Sequence, residues 1–276
     1  MNSPRKLLIV NADDLGLCQA VNLGITHAHC HGIVTSASLM ANMPGVAHGA
    51  SVAAELPGLG VGVHVNLTWG PPLTGKSSLT RGEDSLPGKW KLARMLICGR
   101  VDSQDLRREI QAQVAHCLQL GVQPSHMDTH HHVHAHPAVY AAMVQVAREF
   151  NIPFVRLPVE RRPSSLTALG LSAAALFSAS KVGRLAPACG RSFQGISLSG
   201  KWTAARLLAL LAALPPGLTE LMCHPGEVDA SLPSNSRLKQ SREEEIRILT
   251  MPEIRQCLVR HEITLINYRN CKEGIL

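Results

Sequence analysis

The sequence contains few aromatic and few charged residues, and both shortages exclude classes of protein. Phe, Trp and Tyr make up 3% of the 276 residues, too few for the stacking surfaces that bind single-stranded nucleic acids. Charged residues are 17% and apolar residues 45%, whereas a disordered chain has the opposite balance. The net charge of +7 is spread along the chain, so it indicates no polyanionic partner. A folded protein that binds no nucleic acid is expected.

The chain also lacks cysteine motifs and long apolar runs. None of its eight cysteines forms a C-x-x-C pair, so neither a zinc ribbon nor a thioredoxin-like site is expected. The longest apolar stretches, around 166–179 and 204–214, are too short to span a membrane. Residues 1–10 hold too short an apolar core for a signal peptide. These observations predict a reduced, cytoplasmic protein without a membrane partner.

Strand-like and helix-like segments alternate along most of the chain. Short apolar runs such as 7–10 and 218–223 are typical of buried parallel strands. Residues 102–120 and 137–150 have the spacing of amphipathic helices. The alternation predicts an α/β fold with a parallel sheet of seven or eight strands, either open and doubly wound or closed into a barrel. Residues 161–191 break the pattern and are interpreted as a helical insertion.

Three further segments carry weaker signals. Residues 154–157 and 195–198 are expected to form short strands. The stretch from 70 to about 89 is rich in Gly, Pro and Ser. A loop of this length is expected to be either disordered or a lid over a functional site.

Polar side chains stand at the carboxyl ends of several predicted strands. Parallel α/β folds build their sites at this edge of the sheet. The residues concerned are Asp13, Asp14, His64, Asn66, Asp128, His130, Arg156 and His224. Single members have simpler interpretations, because Asp13 could cap a helix and His64 could be a hydrogen-bonded core histidine. Their shared edge favours one common site.

Histidine is the most unusual component, since six of the fourteen lie between 126 and 136. If the chain is extended after Asp128, then His130, His132, His134 and His136 share one side. If it turns into a helix, His130 and His134 lie one turn apart. His130 points inward in both cases. Two imidazoles and a carboxylate suit Zn, Fe, Ni, Co or Mn and leave positions open for substrate, although a surface tract can also bind metal adventitiously.

At these residues the sequence resembles the YdjC-like family of carbohydrate deacetylases. The family's motifs occur in order, as NADDLG at 11–16, GVHVNLT at 62–68, HMDTHHHVH at 126–134, RLP at 156–158 and ELMCHPG at 220–226. Leu15 replaces the usual Phe, and Thr129 replaces the usual Ser. The resemblance covers about residues 6–267, so a single domain over 1–276 is expected, with the helical insertion near 161–191.

The resemblance implies an irregular β/α barrel like that of the polysaccharide deacetylases. It implies removal of the acetyl group from N-acetylated amino sugars or short oligosaccharides, so the partner is a small carbohydrate. One divalent ion, Mg²⁺ or Zn²⁺, would be held by Asp14, His64 and His130. Asp13 would be the base that activates water, and His224 the acid that protonates the leaving amine. A homodimer is also implied.

Five more residues are expected to contact the substrate or to support the ligands. They are Asn66, Asp128, His132, His134 and Arg156. Ligating histidines need a partner on their second ring nitrogen, and a base needs a group that orients it. The chemistry agrees independently, because amide hydrolysis requires an activated water, a polarised carbonyl and a protonated leaving nitrogen.

Three alternatives remain open at this point. The first is another metal-dependent hydrolase on the same barrel, either a glycosidase or a phosphoesterase. A glycosidase needs two carboxylates that flank the bond, whereas Asp13 and Asp14 are adjacent in sequence. The second is a metal-binding protein without turnover. The third is a nucleic-acid binder, which the scarcity of aromatic residues disfavours.

Overall fold

The computed structural model describes residues 5–182, 192–232 and 238–271. Within these ranges the chain forms seven β-strands, nine α-helices and two short 3-10 turns. The strands are β1 (Lys6–Leu15), β2 (Ser36–Leu39), β3 (Gly60–Val65), β4 (Met127–Thr129), β5 (Ser192–Gln194), β6 (Gly217–Cys223) and β7 (Ile263–Leu265). The helices are α1 (Gln19–His31), α2 (Val46–Glu55), α3 (Lys89–Ile97), α4 (Ser103–Gln119), α5 (Pro137–Glu149), α6 (Leu166–Val182), α7 (Ala204–Ala212), α8 (Lys239–Leu249) and α9 (Pro252–Arg260). The 3-10 turns are His130–Ala135 and Tyr268–Asn270.

The seven strands form one parallel sheet in the order β4-β3-β2-β1-β6-β5, and β7 pairs with the first residues of β1. Two isolated parallel bridges extend it, because Met127 bridges Val155 and Glu160 bridges Phe193. The segment from Val155 to Glu160 therefore links the two ends of the sheet and curls it. The predicted α/β fold with seven or eight parallel strands is confirmed as an irregular, curled barrel.

Side chains of β1 alternate between the two faces of the sheet and so meet two environments. Leu8 and Val10 belong to the main core that the helices cover. Leu7 and Ile9 belong to a smaller apolar cluster on the other face. Asp13 continues the row of Leu7 and Ile9 towards the carboxyl end of the strand. The apolar cluster thus forms a floor below the polar residues at that end.

Local sequence signals explain where two of the helices begin. The Asp102 side chain accepts hydrogen bonds from the backbone N–H groups of Gln104 (2.8 Å) and Asp105 (3.1 Å), which caps α4. In α5, Pro137 occupies the first turn, where its missing N–H leaves no bond unmade. His136 precedes it, and its Nδ1 accepts a hydrogen bond from the N–H of Ala138 at 3.3 Å. One histidine of the tract is therefore a helix cap.

Two expected strands were wrong in extent or position. In 154–157 only Val155 makes a sheet bridge. Residues 195–198 are not a strand, because β5 ends before them and the chain turns. Gly195 has a φ of 129° and donates its N–H to the buried carboxylate of Glu160 at 2.9 Å instead of to a neighbouring strand. At Gly195 the buried Glu160 carboxylate thus takes the place of a neighbouring strand as the hydrogen-bond acceptor.

Helical segments also depart from the sequence interpretation. Helix α3 was not expected, although three of its apolar residues, Leu92, Met95 and Leu96, lie on one buried face. The segment expected to be a helical insertion contains α6, while its residues 183–191 lie outside the described ranges. Among the described residues, no helix combines the length and the hydropathy that crossing a bilayer requires.

The stretch from 70 to 89 is anchored to α4. The N–H groups of Leu73 and Thr74 each donate to the Glu109 carboxylate at 3.0 Å. Glu109 is fully buried, and Gln113 donates to it at 2.8 Å from the next turn of the helix. Because Gln113 also donates to the carbonyl of Asn66 at 2.7 Å, the same helix holds this loop and the end of β3.

Candidate active site

The carboxyl end of β1 carries two consecutive aspartates that serve the same cleft. Neighbouring side chains of a regular strand point to opposite faces. Asp14, however, has a φ of 70°, and the pairing register with β2 shifts between Ala12 and Leu15. A left-handed residue is more readily tolerated at Asp than at most non-glycine residues. This irregularity lets Asp13 and Asp14 both approach the residues at the end of β3.

Asp14, His64 and His130 form a convergent group of donors. The Asp14 Oδ1 atom lies 3.3 Å from His64 Nε2 and 3.1 Å from His130 Nδ1. This oxygen is buried and accepts no hydrogen bond. Donors that lie about 2.0–2.2 Å from one shared ion are about 3 Å apart. The three residues therefore fit one divalent metal ion, and half-buried His130 leaves the group open on its side of the cleft.

Asp128 orients the His64 ring. Its Oδ1 lies 2.7 Å from His64 Nδ1, which leaves Nε2 facing Asp14. Its Oδ2 accepts a hydrogen bond from Ser38 Oγ at 2.7 Å. Burial opposes an imidazolium, but the Asp128 carboxylate prevails and raises the pKa of His64 to about 10. Carboxylate partners of this kind fix the tautomer and direction of ligating histidines.

Arg242 from α8 occupies the other oxygen of Asp14. Its Nη2 donates to Asp14 Oδ2 at 2.5 Å, and both side chains are buried. Burial would raise the pKa of Asp14, but the charges of His130 and Arg242 hold that pKa well below its usual value. The two oxygens of Asp14 thus have different environments, one occupied by a guanidinium and one directed at two imidazoles.

A second cluster surrounds Arg156. The guanidinium holds both oxygens of Asp13 at 2.7 Å, and its Nε donates to Glu220 at 2.7 Å. Asp128 Oδ2 lies 2.8 Å from its Nη2. Asp13, His64 and Asp128 are close enough to form a second set of metal donors. The guanidinium already supplies a positive charge to both aspartates, so this cluster is a closed ion network.

His224 follows β6 and is half-buried. Its backbone N–H donates to Glu245 Oε2 at 2.5 Å, whereas its Nδ1 is buried without a hydrogen-bond partner. Burial lowers the pKa of His224 to about 4, and Asp14 and Asp13 oppose this fall. The ring of the free protein is therefore neutral at pH 7.

The histidine tract follows neither of the two backbone forms considered from sequence. The turn His130–Ala135 contains two left-handed residues, His131 with a φ of 60° and His132 with a φ of 53°. Non-glycine residues rarely adopt this conformation, and such strain concentrates at functional sites. The rings of His130 and His131 remain in contact, with centroids 3.9 Å apart, but the tract as a whole does not present its histidines on one side.

Three further histidines of the tract have distinct surroundings. His131 is exposed, and its Nδ1 lies 2.9 Å from Thr68 Oγ1. His134 is buried, with Nδ1 2.5 Å from Thr129 Oγ1. The half-buried ring of His132 meets an aromatic ring of β5 edge-on at 6.0 Å, and its Nδ1 has no hydrogen-bond partner. His132 is thus half-buried and has a ring nitrogen without a hydrogen-bond partner.

Asn66 organises the loop after β3. Its amide donates to Asn42 Oδ1 at 3.0 Å and to the Trp69 carbonyl at 2.7 Å, and its Oδ1 accepts from the Thr68 N–H at 3.1 Å. The Trp69 indole lies against the His130 ring, with centroids 6.0 Å apart and planes 25° apart. Asn66 therefore positions an aromatic side chain beside the candidate ligands.

Several residues that touch the site were not singled out from sequence. They include Asn11, Ser38, Trp69, Glu220, Arg242 and Glu245. Glu220 could have been found, because an acidic residue inside an apolar strand motif signals a buried partner. Ser38 lies in a strand without any motif. Arg242 and Glu245 lie three residues apart on one helix, but their sequence contains other charged residues that face solvent.

Comparisons with known proteins identify the chain's relatives and its fold. A family model described as "YdjC-like protein" matches residues 7–260. A carbohydrate deacetylase of Geobacillus stearothermophilus is 36% identical over 262 residues, which is 95% of this chain and 96% of its own. A carbohydrate deacetylase of Vibrio cholerae is 34% identical over 264 residues, or 95% and 94% of the two chains. A crystal structure from Enterococcus faecalis V583, provisionally assigned to cellobiose-phosphate cleavage, has the same fold, with a TM-score of 0.80, 24% identity and coverage of 96% and 98%.

Proposed function

Because the chain belongs to the YdjC-like family, we propose that its site removes the acetyl group from an N-acetylated amino sugar or short oligosaccharide with the aid of one divalent ion. The observation that carries the proposal is that two consecutive aspartates, Asp13 and Asp14, have different environments suited to different roles. Asp14 has a buried, unpartnered oxygen facing two imidazoles. Asp13 is oriented by Arg156 beside it. The relatives named carbohydrate deacetylase supply the substrate class.

Asp14, His64 and His130 would hold the ion. Two imidazole nitrogens and one carboxylate favour Zn²⁺ or a similar transition metal over Mg²⁺, which prefers oxygen ligands. The bound ion would lower the pKa of a water molecule and polarise the acetyl carbonyl. The protein supports this set with Asp128 on the second nitrogen of His64.

Asp13 is assigned as the base that takes a proton from the attacking water. Arg156 holds its two oxygens, and Asn11 Nδ2 donates to Oδ1 at 2.9 Å. Each carboxylate oxygen has two lone pairs, so Oδ2 retains a free one. The carboxylate can therefore accept a proton while its orientation stays fixed, which is the requirement for general base catalysis.

His224 is assigned the delivery of a proton to the leaving nitrogen. Since its ring is neutral in the free protein, the proton that His224 delivers would be the one that Asp13 removes from the attacking water, so the proton balance of the hydrolysis closes. Asp13 and Asp14 favour the protonated ring electrostatically. The unpartnered Nδ1 leaves the ring able to exchange a proton.

The other expected residues divide between support and substrate contact. Asp128 and Arg156 are assigned to support, because they contact His64 and Asp13. Asn66 supports the loop that carries Trp69. His134 is bonded within its own turn. His132 is assigned as a sugar contact, because its Nδ1 lacks a partner and its side chain is less buried than that of His134.

Acetate release provides the test. Purified protein loaded with Zn²⁺ is incubated with N-acetylglucosamine and its short oligomers, and metal content is measured on the same sample. We expect acetate in proportion to metal occupancy. No acetate at full occupancy would contradict the proposal, and hydrolysis of a phosphate ester or glycosidic bond in parallel assays would favour the other hydrolases.

We further infer a homodimer in the cytoplasm. The seven described cysteines are free thiols, the state that a reducing compartment maintains. Helix α6 exposes large apolar side chains, namely Leu166, Leu169, Leu176 and Phe177, and a subunit interface would bury such residues. Sedimentation equilibrium measures the mass in solution, and a monomer at micromolar concentration would contradict the dimer.

A further inference from the structure

Helix α8 places two buried ionisable side chains beside the site. Arg242 is 2% exposed and Glu245 is fully buried. Buried charges are unfavourable unless they are paired. Arg242 Nη2 contacts Asp14 Oδ2 at 2.5 Å, and its Nη1 donates to the carbonyl of His224 at 3.4 Å. Glu245 accepts the N–H of the same histidine. One helix thus contacts a candidate ligand and both peptide groups of His224.

Two glycines permit this close approach. A Cβ on Gly226 would lie 3.0 Å from Arg242 Cδ, and a Cβ on Gly24 would lie 2.4 Å from Gly226 Cα. Helix α1 and the turn after β6 therefore pack backbone against backbone, and the Arg242 side chain packs against the same turn. The packing leaves the Arg242 side chain in a defined place next to Asp14.

We propose that Arg242 is a positioning residue for the metal site. By holding Asp14 Oδ2, it keeps Asp14 a ligand through one oxygen and directs Oδ1 towards His64 and His130. The inference rests on the proposed metal site, but it concerns the affinity for the ion and not the reaction. Without Arg242 the Asp14 carboxylate could rotate about χ2, a torsion with a broad energy minimum. Both of its oxygens could then contact the His64 and His130 rings.

An opposite effect of Arg242 has to be weighed. A guanidinium on a ligand carboxylate repels a divalent cation, so removal of its charge would strengthen metal binding if repulsion dominated. Positioning predicts weaker binding instead. The geometry favours positioning, because Oδ1 already stands 3.1–3.3 Å from both ring nitrogens with Oδ2 fully engaged. The sign of the change in metal affinity therefore decides between the two effects.

The experiment compares Zn²⁺ affinity of the full chain by competition with a chromophoric chelator. For Arg242→Gln we expect the Kd to rise about 10- to 100-fold, the usual effect of losing a residue that orients a ligand. The matched control is Arg247→Gln on the same helix, where the arginine is 61% exposed and pairs with Glu244. Its Kd should equal that of the unaltered protein. A lower or unchanged Kd for Arg242→Gln would overturn the proposal.

Arg242→Lys keeps the positive charge and covers the case in which Arg242→Gln fails to fold. A lysine cannot reproduce the planar fork, so positioning predicts a higher Kd, whereas charge repulsion predicts no change. The absorption spectrum of the Co²⁺-loaded protein gives a second measurement, because it reports ligand geometry. An unchanged Kd and spectrum for Arg242→Lys would overturn the proposal. Both measurements are independent of acetate release, so a failed deacetylase assay would leave this inference intact.

Discussion

Two buried clusters of charge meet at the end of β1, and they differ in whether a carboxylate oxygen is left without a hydrogen-bond partner. Around Arg156, three carboxylates share one guanidinium that belongs to the chain. Around Asp14, two imidazoles and a carboxylate oxygen converge, and the oxygen accepts no hydrogen bond. The first cluster is complete in itself, whereas the second fits an added cation. Consecutive residues of one strand thus belong to two kinds of site.

Asp128 joins the two clusters. One of its oxygens contacts His64 Nδ1, and the other contacts Arg156. Burial would raise the pKa of Asp128, but Arg156 and His64 lower it below its usual value. A substitution of Asp128 would therefore affect both clusters. Substitutions of residues that belong to only one cluster, such as His130 or Asp13, test the metal site and the base separately.

The largest effect is expected in the open cluster, from His130→Ala. Loss of one of three candidate ligands should reduce bound Zn²⁺ and acetate release to background after desalting. Metal analysis and the acetate assay measure this. His27→Ala is the control, because this exposed histidine of α1 contacts His31 and not Asp14. Full metal content in His130→Ala would remove His130 from the ligand set.

Asp13→Asn tests the closed cluster with the metal site untouched. The amide cannot take a proton from water, so turnover should fall about 10²- to 10⁴-fold, the range for a lost general base. Metal content should remain that of the unaltered protein, since Asp13 contacts Arg156 and Asn11. Loss of metal in this variant would place Asp13 among the ligands and contradict the division of roles.

Arg156→Met should affect stability, because it leaves three buried carboxylates without their cation. Breaking a buried ion pair from one side costs about 3–5 kcal/mol in the free energy of unfolding. Urea unfolding of the metal-free protein measures the change. The control is Arg107→Met, whose exposed pair with Glu149 at 3.0 Å should contribute at most about 1 kcal/mol. A loss no greater than in this control would show that the cluster is not a closed network.

The contrast also explains which parts of the site the sequence could reveal. Asp13, Asp14, His64 and His224 stand at ends of strands, and a parallel sheet brings these ends together whatever the details of packing. The parallel sheet itself was predicted from the alternation of strand-like and helix-like segments. The sequence did not reveal side-chain directions that depend on an irregular backbone. Asp14 is the example, because no local sequence pattern predicts its positive φ.

Tertiary packing decides the remaining cases. Arg242 and Arg247 lie on the same helix, yet one is buried against Asp14 and the other pairs with Glu244 in solvent. Which arginine faces inward depends on how α8 meets the turn after β6. Likewise, the histidine tract predicted a site, but its left-handed turn assigns His136 to a helix cap and His134 to Thr129. Residue type alone could not separate these positions.

The smallest effect expected is a pH dependence of metal affinity. In the metal-free protein Asp128 raises the pKa of His64 to about 10, so His64 is protonated at neutral pH. A metal ligand must be neutral, and binding must therefore release this proton. The sign follows directly, because the proton competes with the ion below pH 10 and the affinity should rise with pH. One released proton corresponds to about a tenfold stronger affinity per pH unit, or about 1.4 kcal/mol.

Calorimetric titrations of Zn²⁺ in buffers with different ionisation enthalpies count the released protons. We expect at least one at pH 7–8 for the unaltered protein, and fewer for Asp128→Asn, which removes the charge that holds the proton on His64. Arg107→Met should behave like the unaltered protein. An affinity that does not change with pH would mean that His64 is already neutral before the ion binds. The cluster of Asp14, His64 and His130 would then carry less positive charge than the contact between His64 and Asp128 indicates.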